Sequence, residues 1–193
     1  MALAVRSAAT TEDVRPLTYD DLLATPEDGK RYEIVGGELY VAASPDLKHQ
    51  DASGELYERF RAFVRPRRLG RVFHAPTDVK LTEYDTVVPD VIFVSRERAH
   101  IMRPGMIEGA PDLLVEVISP STRRRDRVHK AALYASAGVR EYWIVDPTVE
   151  TILIQRLQGG RYVPIETIGG ILHSTVLVGF ELDVARFFAS LPQ

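Results

Sequence analysis

Two acidic residues of this chain stand where acids are costly. Glu116 sits in the run LLVEVISP from Leu113 to Pro120, where Leu113, Leu114, Val115, Val117 and Ile118 supply both faces of a buried strand. A lone carboxylate in such a strand costs on the order of several kcal/mol unless it is paired, hydrogen-bonded or bound to a metal. Asp90 follows Pro89 and opens the apolar stretch Val91 to Val94. Pro-Asp is by itself a common turn signal, but the proline also restricts Val88 to extended backbone, which suits the start of a strand. Two carboxylates converging on adjacent strands repel and raise each other's pKa unless a cation lies between them. Magnesium asks for only one or two carboxylates, with waters and phosphate oxygens completing its shell, so Asp90 and Glu116 are candidate ligands for a phosphoryl-transfer ion. Lys130 is the candidate cation for steadying an attacking water or developing charge. It shares a helix face with Asp126 and Tyr134 at i, i+4 spacing, and a surface pair of Asp126 with Lys130 is the competing reading.

The elements that must position these groups follow from patterning. Thr18 and Asp21 resemble a capping box ahead of a short helix from Tyr19 to Ala24. Arg31 to Val35 and Glu38 to Ala42 read as a hairpin about Gly36-Gly37, with Glu33 on the opposite face from Tyr32 and Ile34. From Pro45 to Leu69 the apolar period is helical, through Ala52, Leu56, Phe60, Phe63 and Val64, and His49 lies on the same stripe. Such a histidine is more often a hydrogen-bonded core residue than a chemical participant. Arg71 to Leu81 and Thr86 to Ser95 read as two strands. Ser119 to Thr122 offers N-caps for a helix from Arg123 to Ala137, ended by Gly138. A strand from Val139 to Val145, a hairpin of Thr151–Leu157 with Arg161–Glu166, an extended piece at Thr175 to Val178 and a helix from Asp183 to Ala189 complete the chain. Residues 1 to 15 form a flexible arm and 16 to 193 a single domain of the α/β (α+β) class, a mixed sheet flanked by helices.

Composition narrows the classes. With 193 residues and no cysteine, a disulfide framework and cysteine-based zinc sites are excluded. No run approaches the ~20 apolar residues of a membrane span, and MALAVRSAATTEDVR has no continuous apolar stretch of a signal peptide, so a cytoplasmic protein away from membranes is expected. The net charge of −3 hides two basic segments: Arg59, Arg61, Arg65, Arg67, Arg68 and Arg71, then Arg123, Arg124, Arg125, Arg127 and Lys130. Each is either a solvated helix face or a set of phosphate contacts.

Read in order, Pro89-Asp90, then E-V-x-S-P-S-T from Glu116, then D-R-x-x-K-x-x-x-Y from Asp126 to Tyr134, then AGVREYWIVDP from Ala137 to Pro147 resemble the Uma-two family. That family has the restriction-endonuclease-like fold of the PD-D/E-x-K nuclease superfamily. Tyr32-Glu33, Gly37-Glu38-Leu39 and Ser44-Pro45 before His49 are similar too, so the resemblance covers about residues 17 to 190. It implies a central mixed sheet flanked by helices, with the N-terminal and C-terminal hairpins as additions. It also implies Asp90 and Glu116 as metal ligands for Mg²⁺, with Mn²⁺ as a substitute, and places Glu33, His49 and Lys130 at the same catalytic site. The chain departs from the superfamily at Ile118, where a lysine is expected two residues after the glutamate; Lys130 on the following helix would take its part.

Two functions follow. One is a Mg²⁺-dependent endonuclease hydrolysing phosphodiester bonds in DNA, with Arg65, Arg67, Arg68, Arg123, Arg124, Arg125 and Arg127 on phosphates. The other is a catalytically inactive nuclease-fold module for binding or assembly, favoured by Ile118, by the acidic total and by Tyr142 and Trp143 read as exposed aromatics. By analogy with the family a homodimer is expected, with its interface near the C-terminal hairpin.

Overall fold

In the computed structural model, residues 15–42, 45–118 and 125–191 are described. The core is a six-stranded mixed sheet built on the Glu116 strand, β9 (Leu113–Val117). Its antiparallel neighbour is β6 (Val91–Ser95), with Val91 opposite Val115, and its parallel neighbour is β10 (Glu141–Asp146), with Trp143 opposite Val115. Beyond β6 lies β3 (Gly70–His74), and beyond β10 the hairpin of β11 (Thr151–Gln158) and β12 (Arg161–Ile165). Parallel pairing of β9 with β10 needs a crossover, and α3 (Arg125–Ala137) supplies it.

Alternation along the strands sorts side chains between two cores. Val91, Phe93, Val115, Val117 and Trp143 face the long helix α2 (Leu47–Arg67), which buries Ala52, Leu56, Phe60 and Val64 against them. Ile92, Val94, Leu114, Ile118 and Ile144 face the other way, onto Tyr134 of α3 and onto Val79, Val87 and Ile107 of a second sheet. Glu116 shares the parity of Leu114 and Ile118, so its side chain turns toward α3. Gly70 on β3 is required by close approach: a Cβ there would lie 2.1 Å from the Val94 carbonyl oxygen.

The second sheet runs β2 (Glu38–Ala42), β1 (Arg31–Val35), β5 (Asp85–Val87), β4 (Asp78–Thr82), β8 (Met106–Glu108) and β7 (Met102–Arg103). Here the structure corrects the two-strand reading. The stretch expected as one strand from Arg71 to Leu81 is β3 and β4, broken around Pro76. The stretch expected from Thr86 to Ser95 is β5 and β6, broken at Val88-Pro89-Asp90. Each proline lacks a ladder donor, and at each break the chain passes from one sheet to the other. Asp90 therefore stands at a crossing point. It keeps two backbone bonds there, donating to the Val115 carbonyl at 3.0 Å and accepting from the Ala75 amide at 3.0 Å.

The expected extended piece at Thr175 to Val178 is not a strand. β13 (Ile171–His173) pairs instead with β14 (Glu181–Asp183), because the amides of Thr175 and Val176 are given to the Glu141 carboxylate rather than to a ladder. The remaining helices are α1 (Tyr19–Leu23), whose Thr18–Asp21 capping box is formed, and α4 (Val184–Ala189), whose N-cap Asp183 accepts from the Arg186 amide. The expected start of α3 at Arg123, with its Ser119 to Thr122 caps, lies outside the described residues. Tyr142 and Trp143 are 1% and 0% exposed, so they are core aromatics and not an exposed pair.

Candidate active site

Three elements deliver the acidic and basic groups to one point. Glu33 comes from the middle of β1, whose pairing of Ile34 with Thr86 sets it beside the end of β5; there its Oε1 accepts from the Val88 amide at 2.8 Å. Glu116 comes from β9. Lys130 and Tyr134 come from successive turns of α3. The Lys130 Nζ lies 3.0 Å from Glu33 Oε1 and 3.0 Å from Glu116 Oε1, and the Tyr134 hydroxyl donates to the same Glu116 oxygen. The lysine side chain is 15% exposed and that of Glu116 12%, so Lys130 is directed inward onto the two glutamates; the Asp126 side chain, and with it the competing pair with Lys130, lies outside the described residues.

Asp90 joins this cluster from the other side. Its Oδ2 accepts from the Val117 amide at 2.8 Å, which ties it to the residue after Glu116. The same oxygen lies 3.2 Å from His49 Nε2, and Oδ1 lies 3.3 Å from Arg31 Nη1. His49 reaches it from the first turn of α2, where the N-cap Asp46 accepts from the His49 amide at 2.8 Å. Glu33, Glu116 and Lys130 thus form one cluster, and Asp90 with His49 a neighbouring one joined to it through the Val117 amide.

The electrostatics differ between the two expected ligands. Burial pushes the Glu116 carboxyl up, Lys130 opposes this, and the nearby Glu33 and Asp90 charges add to it, leaving Glu116 at about 7. Burial also pushes Asp90 up, but His49, the Val117 amide and Arg31 outweigh it and hold Asp90 below the usual carboxylate range. Burial pulls Lys130 down, and the two glutamates more than reverse that, so it stays a firm cation. The mutual rise expected of two facing carboxylates is therefore found at only one: His49, the Val117 amide and Arg31 outweigh burial at Asp90, and Lys130 does not outweigh it at Glu116. Among the described residues Asp90 faces Arg31 and His49, while Glu33 and Glu116 share Lys130.

Among the described residues no three histidine, aspartate or glutamate side chains are grouped as a ready-made ion cage. Magnesium needs no such cage, and two carboxylates such as Asp90 and Glu116 are the donor set it takes from protein when substrate phosphate and water supply the rest. The residues present fit that ion on the chemistry of their donors.

The arginines divide by position. Arg65, Arg67 and Arg68 lie at the far end of α2, about 27 Å along its axis from His49 at ~1.5 Å per residue. Arg67 stacks on Phe63, 4.0 Å from the ring centre. Arg123 and Arg124 lie outside the described residues, as do the side chains of Arg125 and Arg127. Sequence reasoning missed Arg31, which it placed only as a strand start, along with Ser53 and His74 near Asp90. The signal for Arg31 was available in register, since it lies two residues from Glu33 and so on the same strand face.

The fold and this constellation define a nuclease-like protein of the mixed α+β class. The chain belongs to the Uma2 family, described as "Putative restriction endonuclease", whose model matches residues 18–185. It is similar in structure to a "putative nuclease belonging to DUF820" from Anabaena variabilis, with a TM-score of 0.76 and 21% sequence identity over 90% of this chain and 98% of that one. No curated protein matches it. Among the described residues no helix is long and apolar enough to cross a membrane.

Proposed function

We propose that this protein is a Mg²⁺-dependent endonuclease that hydrolyses phosphodiester bonds in DNA. One observation carries the reading: the Lys130 amine, absent from the strand position taken by Ile118, reaches the Glu116 carboxylate at 3.0 Å from the following helix. The family description as a restriction endonuclease supports the choice of DNA.

Asp90 and Glu116 would hold the ion, whose contribution is to polarise the phosphoryl oxygen and acidify water. The chain's own groups do the rest. Lys130, firmly charged between Glu33 and Glu116, holds an attacking water near the carboxylates and stabilises negative charge as it develops. Glu33 fixes the lysine, and is itself fixed by the Val88 amide. Tyr134 pins Glu116 from the apolar side, so the carboxylate presents its other oxygen outward. His49 and the Val117 amide orient Asp90. The burial of Tyr142 and Trp143 removes the exposed aromatic pair that favoured an inactive binding module.

Supercoiled plasmid incubated with Mg²⁺ tests the reading. Wild-type protein should nick or linearise it, while Asp90→Ala and Glu116→Ala should not. Cleavage retained by both variants would sink the proposal.

A further inference from the structure

Beside Asp90 a cavity of about 420 Å³ is lined by Arg31, His49, Gln50, Ser53, His74 and Asp90, with small walls from glycine, alanine and proline. Neither Glu116 nor Lys130 contributes to its lining. Its size falls within the ~300–1,000 Å³ usual for small-molecule sites.

Its lining suits a polar, phosphate-bearing group. Arg31 carries five N–H donors in a rigid fork and gives one of them, Nη1, to Asp90; its Nε is buried without a hydrogen-bond partner among the described residues. His49 is 7% exposed, and its Nδ1 is likewise buried and unpartnered while Nε2 faces Asp90. Both residues line the cavity, so a group entering it meets the guanidinium and the imidazole. Pro45, His49 and Gln50 bring the amino-terminal end of the 21-residue helix α2, whose N-cap Asp46 accepts from the His49 amide, to the same cavity. Opposite, the His74 ring is held by Ser53 Oγ at 3.1 Å and by Tyr57 at 5.4 Å between ring centres, giving a flat, fixed wall of the kind on which nucleobases stack.

We propose that this cavity is a subsite for one phosphate-bearing nucleotide of the substrate strand, with phosphate toward Arg31 and His49 and base toward His74. Its place in catalysis rests on the nuclease reading above. In that reading Lys130 and Glu116 hold the water, and the cavity, which neither of them lines, holds a nucleotide beside Asp90.

The test is binding, without metal and without cleavage. Thymidine 5′-monophosphate is titrated into protein labelled at its five histidines, and the imidazole resonances are followed by NMR. Resonances of His49 and His74 should move together and saturate, with an apparent Kd on the order of ~1 mM or tighter, while exposed His173 stays still. Thymidine without phosphate should bind at least tenfold more weakly. Arg31→Gln should weaken the monophosphate tenfold, and Ser53→Leu, which fills the cavity while leaving Asp90 and His49 in place, should do the same. No movement up to 20-fold above ~1 mM, equal binding of thymidine, or unchanged binding by both variants would overturn the subsite. Plasmid cleavage is scored separately: a protein that binds the monophosphate yet never cuts DNA refutes the nuclease reading and leaves the subsite standing.

Discussion

Two buried glutamates on neighbouring parallel strands meet opposite treatment. Glu141 on β10 is 0% exposed and receives five neutral donors: Trp143 Nε1 and Ser174 Oγ at 2.7 Å, the amide and hydroxyl of Thr175 at 2.6 Å, and the Val176 amide at 3.2 Å. Glu116 on β9 receives a lysine and a tyrosine on one oxygen, lies among other carboxylates and keeps 12% of its side chain open. A carboxylate saturated by neutral donors is finished: it pins the 174–176 segment to the sheet and has nothing left to offer. A carboxylate held by a shared cation, with like charges nearby, is unfinished and can take part in chemistry. Burial of an acid in a strand is common to both, and the partners separate structure from function.

The largest effect expected from this contrast is on stability. Glu141→Ala strands five donors, most of them buried, and should cost about 4 kcal/mol or more, lowering Tm by roughly 10 °C or leaving the chain unfolded. Glu116→Ala should leave a folded chain with little change in Tm and no cleavage. Equal losses of Tm in urea or thermal unfolding would erase the distinction between the two sites.

Next comes Lys130. Lys130→Met keeps the length of the side chain and removes its charge, and cleavage should fall about 10²–10³-fold, the usual worth of one preorganised donor to a transition state. The same variant leaves Glu33 and Glu116 without their common cation. Its stability should therefore fall between pH 5 and pH 8 more steeply than the wild type's. A variant that cuts at full rate, measured on plasmid under Mg²⁺, would show that the helix lysine does not replace the missing strand lysine.

The two candidate ligands should respond to pH with opposite signs. Glu116 is raised from 4.5 to about 7, so the folded state holds its proton more tightly than the unfolded one. Its stabilising contribution is complete below pH 4.5 and is lost as pH rises through about 7. Asp90 is lowered, so its contribution is present above pH 3.8 and is lost only as pH falls through its depressed folded value. At pH 8 in the absence of metal, Glu116→Gln should then be more stable than wild type, by a few kcal/mol at most, and Asp90→Asn less stable. Thermal melts at pH 5 and pH 8 decide; a stabilised Asp90→Asn would reverse the assignment of which carboxylate the protein cations hold.

Much of this was legible in the chain, and the limits are physical. Glu116 is conspicuous because a charge interrupts an aliphatic run, and the i, i+4 spacing of Lys130 and Tyr134 shows that they share a face. The hairpin of Arg31–Val35 with Glu38–Ala42 follows from its glycine pair and alternation, and both strands have those bounds in the structure. The two sheets were not legible. Pro76 and Pro89 mark breaks, but whether a broken strand resumes in the same sheet depends on long-range pairing, such as β1 with β5, that local pattern does not carry. Glu141 was read only as part of a motif, because four of its five donors lie 33 to 35 residues away. Tyr142 and Trp143 read as exposed because adjacent aromatics point to opposite faces; in this sheet each face is covered, one by α2 and the other by α3.

The smallest effect carries the contrast to the arginines. Arg31 is partly buried against Asp90, whereas Arg67 is exposed at the other end of α2 and stacked on Phe63. Arg67→Ala loses that stack, worth ~0.5–1 kcal/mol at an exposed site, and should leave the cleavage rate per bound substrate unchanged. If DNA runs along α2, one phosphate contact is lost: binding weakens uniformly across sequences, and the slope of log K against log salt falls by about 1. Fluorescence anisotropy with a duplex at several salt concentrations reads that slope directly. An unchanged slope for Arg67→Ala beside a reduced one for Arg31→Gln would confine the DNA path to the His49 end of the helix, beside Asp90.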